Sequence, residues 1–246
     1  MGLFTTPFPS GPKPAPRTLR ALARLLGYPD AELRAHLPQI REVLHAEGAL
    51  PTARLVELDA LIASLTRQSD LDAEADYVQL FDSGRRTALH LFEHIHGDSR
   101  ERGPAMIDLA QTYEKAGLYL AEGEMPDHLP VVLEFASTQP PREATAFLGE
   151  IAHLINVVFN ALEKRESRYA SLMGALLDLA GEPPRAVQIA DEDAIDAVWD
   201  EPAAFDGCSS GAAGAGTATQ QPPPSQPVHI VRRAGRQAPT PPGATA

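Results

Sequence analysis

Apolar residues recur at helical spacing through the whole middle of this 246-residue chain, and no segment alternates apolar and polar side chains with a period of two. Leu19, Leu22, Leu25 and Leu26 share one face of a segment that Gly27 ends. Leu55, Leu58, Leu61, Ile62 and Leu65 mark a buried stripe over Thr52 to Arg67. Between these, Asp30 is placed to cap a helix running towards Gly48, with Pro38 kinking or splitting it. Asp70 is placed to cap another, carrying Leu71, Ala75, Val78 and Phe81 and closed by Asp82-Ser83-Gly84.

The pattern continues past a short element, Arg85 to Gly97, that ends in a histidine-rich turn. A helix from Asp98 to Gly117 follows, capped by Asp98 with Glu101 in a capping box, and turning Met106, Leu109, Ala110 and Tyr113 inward. Asp127 then caps a helix with Pro130 in its first turn and Leu129, Val132, Leu133 and Ala136 on its apolar side, stopped by Pro140-Pro141. The longest helices come last. Arg142 to Lys164 buries Phe147, Ile151, Leu154, Ile155, Val158 and Leu162, and Ser167 to Ala180 buries Tyr169, Leu172, Met173 and Leu176. With β-branched residues scattered, a sheet has no support, and the expected fold is all-α: a single-domain bundle of about eight helices.

Composition sets the boundaries. Residues 1–16 hold five prolines, and residues 207–246 are mostly Gly, Ala, Ser, Thr, Gln and Pro, so both ends are expected to be disordered tails. Between them, 17–184 reads as the helical domain and 185–206 as an acidic linker with a short helix around Ile195, Val198 and Trp199. Four of the 21 basic residues (Lys13, Arg232, Arg233, Arg236) and one of the 33 acids (Asp206) lie outside 17–205, which leaves that body a net charge of −15. Such acidity argues against nucleic acid and favours a basic peptide as ligand. The single cysteine, Cys208, lies in the tail, so no intrachain disulfide or cysteine metal knuckle forms. No apolar run approaches the roughly 18 residues of a membrane span, and the expected location is the cytoplasm, without membrane insertion.

Chemistry concentrates in LFEHIHGDSRERGPAM, Leu91 to Met106, where Phe92, Glu93, His94, His96, Arg100 and Arg102 crowd together. The two arginines fall in a helical first turn, where the dipole disfavours cations, so an acidic group, a partner or Glu93, is expected to hold them. His90, Glu93 and His94 stand at i, i+3 and i+4, which on a helix would present zinc ligands, with His96 as a fourth; a metal-dependent hydrolase is the alternative this spacing raises. The order is not that of a His-Glu-x-x-His metalloprotease, and no serine between residues 17 and 206 is singled out as a nucleophile. A second cluster, PDHLPVVLEF, places Asp127, His128 and Glu134 at the start of a helix. Read structurally it is a capping aspartate with an exposed histidine; read functionally it is the polar rim of a peptide groove.

These blocks, with the opening Leu25-Leu26-Gly27-Tyr28-Pro29-Asp30, LFD at Leu80 to Asp82, ESRYA at Glu166 to Ala170 and DAVW at Asp196 to Trp199, resemble the redox-enzyme maturation chaperones of the TorD/DmsD/NarJ family. The resemblance implies an all-helical chaperone domain that catalyses nothing and has no cofactor of its own. It implies binding to the N-terminal segment of a respiratory nitrate reductase catalytic subunit, in its apo form, while molybdenum cofactor and iron–sulfur clusters are loaded. Membrane attachment is delayed meanwhile, and the chaperone is absent from the finished enzyme. The molybdenum cofactor delivery machinery is a further implied partner. The family blocks cover Glu93, His94, His96, Arg100, Arg102, Asp127, His128 and Pro130, whereas the family pattern is apolar at His90, which weakens the zinc reading. With Phe92, Met106, Tyr113, Leu129 and Glu134, these form the expected peptide-binding surface.

Overall fold

A computed structural model describes residues 13–97 and 99–187. Asp98, residues 1–12 and everything after Val187 lie outside that range, and with them the expected Asp98 cap, the helix around Trp199, and Cys208. Among the described residues there are nine α-helices: α1 Pro16–Leu25, α2 Ala31–Glu47, α3 Thr52–Arg67, α4 Asp70–Phe81, α5 Leu91–His96, α6 Arg102–Lys115, α7 Leu129–Thr138, α8 Pro141–Lys164 and α9 Ala170–Ala180. The short histidine-rich element accounts for the one beyond eight. The described residues contain no strand, only an isolated antiparallel bridge between His90 and His128.

Six helices close a ring around the core. α1 packs on α2 and α7, α3 on α2 and α9, and α8 on α7 and α9. Leucines fill the centre because each of these helices carries an apolar stripe: Leu22, Leu25, Leu33, Leu58, Leu133, Leu148 and Ile155 are fully buried. α8 shows how such a stripe can mislead. Its 24 residues are long and apolar enough to cross a membrane by length and composition, contrary to the sequence expectation, yet the buried side, Leu148, Ile155, Val158 and Leu162, is core.

Side chains from distant helices close the helix ends. Asp30 Oδ1 caps α2 by accepting from the Leu33 amide at 2.7 Å, as its position predicts. The Glu47 carboxylate, from the last turn of α2, accepts from the Arg17 and Thr18 amides that open α1. Arg34 of α2 donates to the terminal carbonyls of Leu65 and Gln68 at 2.7 and 2.6 Å and pairs with Asp70 at 2.8 Å, so one guanidinium joins α2, the end of α3 and the start of α4. At the far end, Asn156 and Asn160 of α8 hold the backbone of Arg185 and Val187.

Several expectations need correction. Pro38 sits inside α2 without splitting it. Ser69, not Asp70, caps α4, accepting from the Asp72 amide at 3.2 Å. α4 also turns a different face inward: Ala73, Tyr77 and Phe81 are buried, while Leu71 is 76% exposed and Val78 is exposed as well. Tertiary contacts decide this, because Tyr77 and Phe81 meet Tyr169 with ring centroids 6.1 and 5.1 Å apart and the Tyr77 hydroxyl donates to the Leu26 carbonyl at 2.7 Å. α6 begins at Arg102, with Glu101 making no capping bond, and of its residues only Tyr113 is buried; Met106, Leu109 and Ala110 are half-buried.

Leu22→Ala, which opens a cavity in the ring, is expected to lower the unfolding free energy by roughly 2–5 kcal/mol in urea titrations. Leu71→Ser, on the outward side of α4, is expected to change it by less than about 0.5 kcal/mol.

Candidate functional site

The two motifs singled out in the sequence meet through one buried carboxylate. Asp127 is fully buried. It does not cap α7, whose N-cap is His128 with no side-chain bond; it caps α5 instead. Its Oδ2 accepts from the Phe92 amide at 3.1 Å and its carbonyl from the Leu91 amide at 3.0 Å, while the Leu129 amide donates to the Leu89 carbonyl at 2.8 Å. The N-termini of α5 and α7 are thereby fastened together at the His90–His128 bridge.

Around the carboxylate stand His90, whose Nδ1 lies 3.3 Å from Oδ1, and Arg102, 3.8 Å from Oδ2 and 3.4 Å from Glu93. Glu93, one of the two holders the sequence offered, faces Arg102 together with Asp127; Arg100 is exposed, in the turn before α6, and against the expectation for both arginines forms no ion pair with the described residues. Burial pushes the Asp127 carboxyl up, but the hydrogen bonds from His90 and the Phe92 amide, with the charges of His90 and Arg102, outweigh it and leave the group below its ordinary value. His90 is pushed up, chiefly by its hydrogen bond to Asp127, against burial. His128 is pushed down, by burial first and then by the charge of His90, against which its ring stacks at 5.0 Å. Both shifts favour a proton on His90 over one on His128.

This geometry removes the zinc reading. His90 is the N-cap of α5 rather than part of it and is engaged by Asp127, the His94 ring sits 2.9 Å from the Ala88 carbonyl, and His96 packs edge-on against Phe92. Among the described residues no group of three or more His, Cys, Asp or Glu side chains is arranged to hold a metal ion. The reading of Asp127 as a cap on α7 with an exposed histidine is overturned too, since Asp127 is buried and His128 half-buried.

The other expected residues lie elsewhere. Leu129 is core and Pro130 is half-buried at the start of α7. Tyr113 and Glu134 line a separate cleft of about 440 Å3 between α1, α7 and the loop after α6. Tyr113 positions that loop: its hydroxyl donates to the Pro126 carbonyl at 2.8 Å, and its ring packs on Phe135 at 4.7 Å. Leu118, Leu120 and Val131 give the cleft an apolar lining, Tyr119 stands 81% exposed beside them, and Glu124 and Glu134 are at its edge. Arg20 and Arg24 also line it, engaged with Ser137 at 3.1 Å and Glu32 at 2.9 Å. Sequence reasoning missed this half of the site, because Arg20 and Arg24 come from α1, about a hundred residues away, and the signal that could have found it was the apolar run Leu118-Tyr119-Leu120 in the loop after α6.

The chain belongs to the nitrate reductase delta subunit family, whose model matches residues 28–173. It is 44% identical over 190 residues to the nitrate reductase molybdenum cofactor assembly chaperone NarJ of Escherichia coli K12, covering 73% of this chain and 80% of that one. It is 33% identical over 161 residues to the probable NarJ chaperone of Bacillus subtilis 168, covering 65% and 86%. A solved putative redox enzyme maturation protein from Archaeoglobus fulgidus aligns with 73% of this chain and all of its own at a TM-score of 0.48 and 20% identity. The family is one of maturation chaperones, and the chain is a chaperone rather than a catalyst.

Histidine titration by NMR is expected to place His90 above and His128 below the ordinary value, as a coupled pair. In Asp127→Asn the His90 value falls, because the hydrogen bond and charge that hold its proton are gone. Asp127 loses its proton at lower pH folded than unfolded, so its stabilisation is complete above the ordinary carboxylate value and fades as pH falls through the folded one. Asp127→Asn is thus expected to cost about 2 kcal/mol at neutral pH and progressively less in acid. His90 has the opposite sign: its contribution is complete below the ordinary histidine value and is lost as pH rises through the raised one.

Proposed function

We propose that this chaperone binds the N-terminal segment of the catalytic subunit of a respiratory nitrate reductase in the cytoplasm. It holds that segment while molybdenum cofactor is inserted, before membrane attachment, and leaves the finished enzyme. The names of its relatives support the nitrate reductase as client. The observation that carries the peptide reading is the cleft between α1 and α7, with an apolar lining and two carboxylates at its edge, in a chain whose residues 17–205 carry a net charge of −15.

A basic amphipathic helix meets such a cleft by laying its apolar side on Tyr119, Leu120, Val131 and Phe135 while its cations face Glu124 and Glu134. The field of the acidic body steers it in, and the apolar lining discriminates. The surface at α5 and α6, with Phe92, Glu93, His94, His96, Arg100, Arg102 and Met106 around the Asp127 and His128 junction, is the proposed continuation for the rest of the unfolded client. Holding the terminus keeps the client's cofactor cavity open and its membrane-facing surface covered. Release follows when the folded client competes for its own terminus. The molybdenum cofactor delivery machinery is the proposed transient third party.

Calorimetric titration with a synthetic peptide of the subunit's N-terminus, against a charge-scrambled control, tests the reading. Selective binding is expected, weakening as salt rises because the Debye length is only about 10 Å at 0.1 M. Glu134→Lys is expected to raise Kd roughly tenfold. Equal binding of the scrambled peptide, or affinity indifferent to both salt and Glu134→Lys, would overturn it.

A further inference from the structure

Two imidazoles meet where α5 is fastened to α7, and neither lines the cleft between α1 and α7. His90 precedes α5 and His128 precedes α7; their backbones form an antiparallel bridge, and their rings stack with centroids 5.0 Å apart and planes 25° apart. Three hydrogen bonds span the same seam. The Leu91 and Phe92 amides donate to the carbonyl and carboxylate of Asp127, and the Leu129 amide donates to the Leu89 carbonyl. Leu89 and Leu91, on the α5 side, are buried.

The charges around this seam come from each element packed there. Asp127 and Glu124 face the rings from the loop before α7, Glu93 from α5 and Arg102 from α6, while Tyr113 of α6 faces Asp127. With His90 protonated, its charge and that of Arg102 balance Asp127 and Glu93, at separations of 3.3 to 3.8 Å. The His128 ring has no such balance, since it forms no hydrogen bond or ion pair among the described residues and Glu124 is committed to the Ala121 amide at 3.1 Å. A proton on His128 therefore sets a second positive charge across the stack, in a half-buried place that water screens poorly. Loss of the proton from His90 leaves the buried Asp127 without its cation at 3.3 Å.

We infer that the stacked pair is a one-proton latch: a single imidazolium in the stack fastens α5 to α7, and a second one drives the rings apart and releases the start of α5. Such a short helix suits release, because six residues do not hold a helical form without the contacts that support them. The sign follows from the two rings. Burial and the His90 charge make the closed form resist a proton on His128, so acid favours the open form, whereas the closed form favours the proton on His90, so the latch also loosens as pH rises through the His90 value. Asp127 keeps its charge through the histidine range, because it lies below the ordinary carboxylate value. Opening uncovers Leu89 and Leu91, adding to the apolar surface that Ile95 already shows. The latch does not depend on the client reading.

Amide hydrogen exchange of the full chain, followed by NMR and corrected for the intrinsic effect of pH, reads the latch directly. The Leu91, Phe92 and Leu129 amides report the seam, and those of Leu22 and Ile155 report the ring of helices. From about pH 7 to about pH 5, where histidines take up protons, protection at the seam is expected to fall about tenfold while Leu22 and Ile155 keep theirs. His128→Phe keeps a flat ring beside His90 and takes no proton, so its seam protection is expected to change by less than about twofold over the same range. His128→Gln removes the ring as well as the charge; its seam is expected to be less protected than in the wild type near neutrality and equally indifferent to acid. A purely structural histidine would give that lower protection but keep the loss in acid. Undiminished seam protection in the acidified wild type would overturn the inference, as would the same acid loss in both variants, or loss at Leu22 and Ile155 together with the seam.

Discussion

The surface that distinguishes this chain depends on the burial of one carboxylate. Asp127 leaves water to accept the Phe92 amide, stay within reach of His90 and Arg102, and hold the start of α5 against the start of α7. An ionised group buried without partners would be prohibitively costly, so the surrounding donors are what allow the residue to exist there as an anion. The consequence reaches well beyond the pair. α5 has six residues, too few to be stable alone, and among the described helices its principal neighbour is α6, itself outside the ring. Without the Asp127 fastening, the histidine-rich turn would be left with the Leu89–Leu129 backbone bond as its main tie to α7.

What the sequence revealed follows from what local chemistry encodes. α3 runs from Thr52 to Arg67 as its leucine stripe predicts, and Asp30 and Gly48 bound α2 as expected, because cap and stripe lie within the helix itself or beside it. α4 was ambiguous for a physical reason: Phe81 belongs both to a stripe with Leu71 and Val78 and to one with Ala73 and Tyr77. The contacts of Tyr77, with the Tyr169 ring about ninety residues on and with the Leu26 carbonyl, select the second. Asp127 precedes a helix at a position where aspartates commonly cap, yet its partners lie 35 and 37 residues back in the chain. Periodicity and capping preference report on neighbours in sequence, and a cross-chain carboxylate leaves no trace in either. The zinc pattern failed for a related reason, since the spacing of His90 and His94 matters only if both are helical, and the bridge to His128 keeps His90 extended.

The division of labour in the fold suits a chaperone. A ring of six helices supplies a leucine core, while α4, α5 and α6, attached at its edge, and the loop after α6 carry most of the exposed large apolar side chains among the described residues, including Leu71, Ile95, Ile107 and Tyr119; Val56 of α3 is an exception. Exposed apolar surface on an otherwise acidic, well-packed body is costly to maintain and is what recognition of an unfolded or terminal segment requires. In the proposed mode of binding, net charge would attract a basic client from a distance, and the shape of the cleft between α1 and α7 would choose among those attracted.

Hydrogen–deuterium exchange with and without the nitrate reductase N-terminal peptide locates that choice on the molecule directly. Slowed exchange is predicted in the loop 118–125 and in the first turns of α7, with α3 and α9 unchanged. Protection confined to α3, α4 and the α8–α9 turn, or no change anywhere at saturating peptide, would contradict the assignment of the cleft between α1 and α7 as the client site.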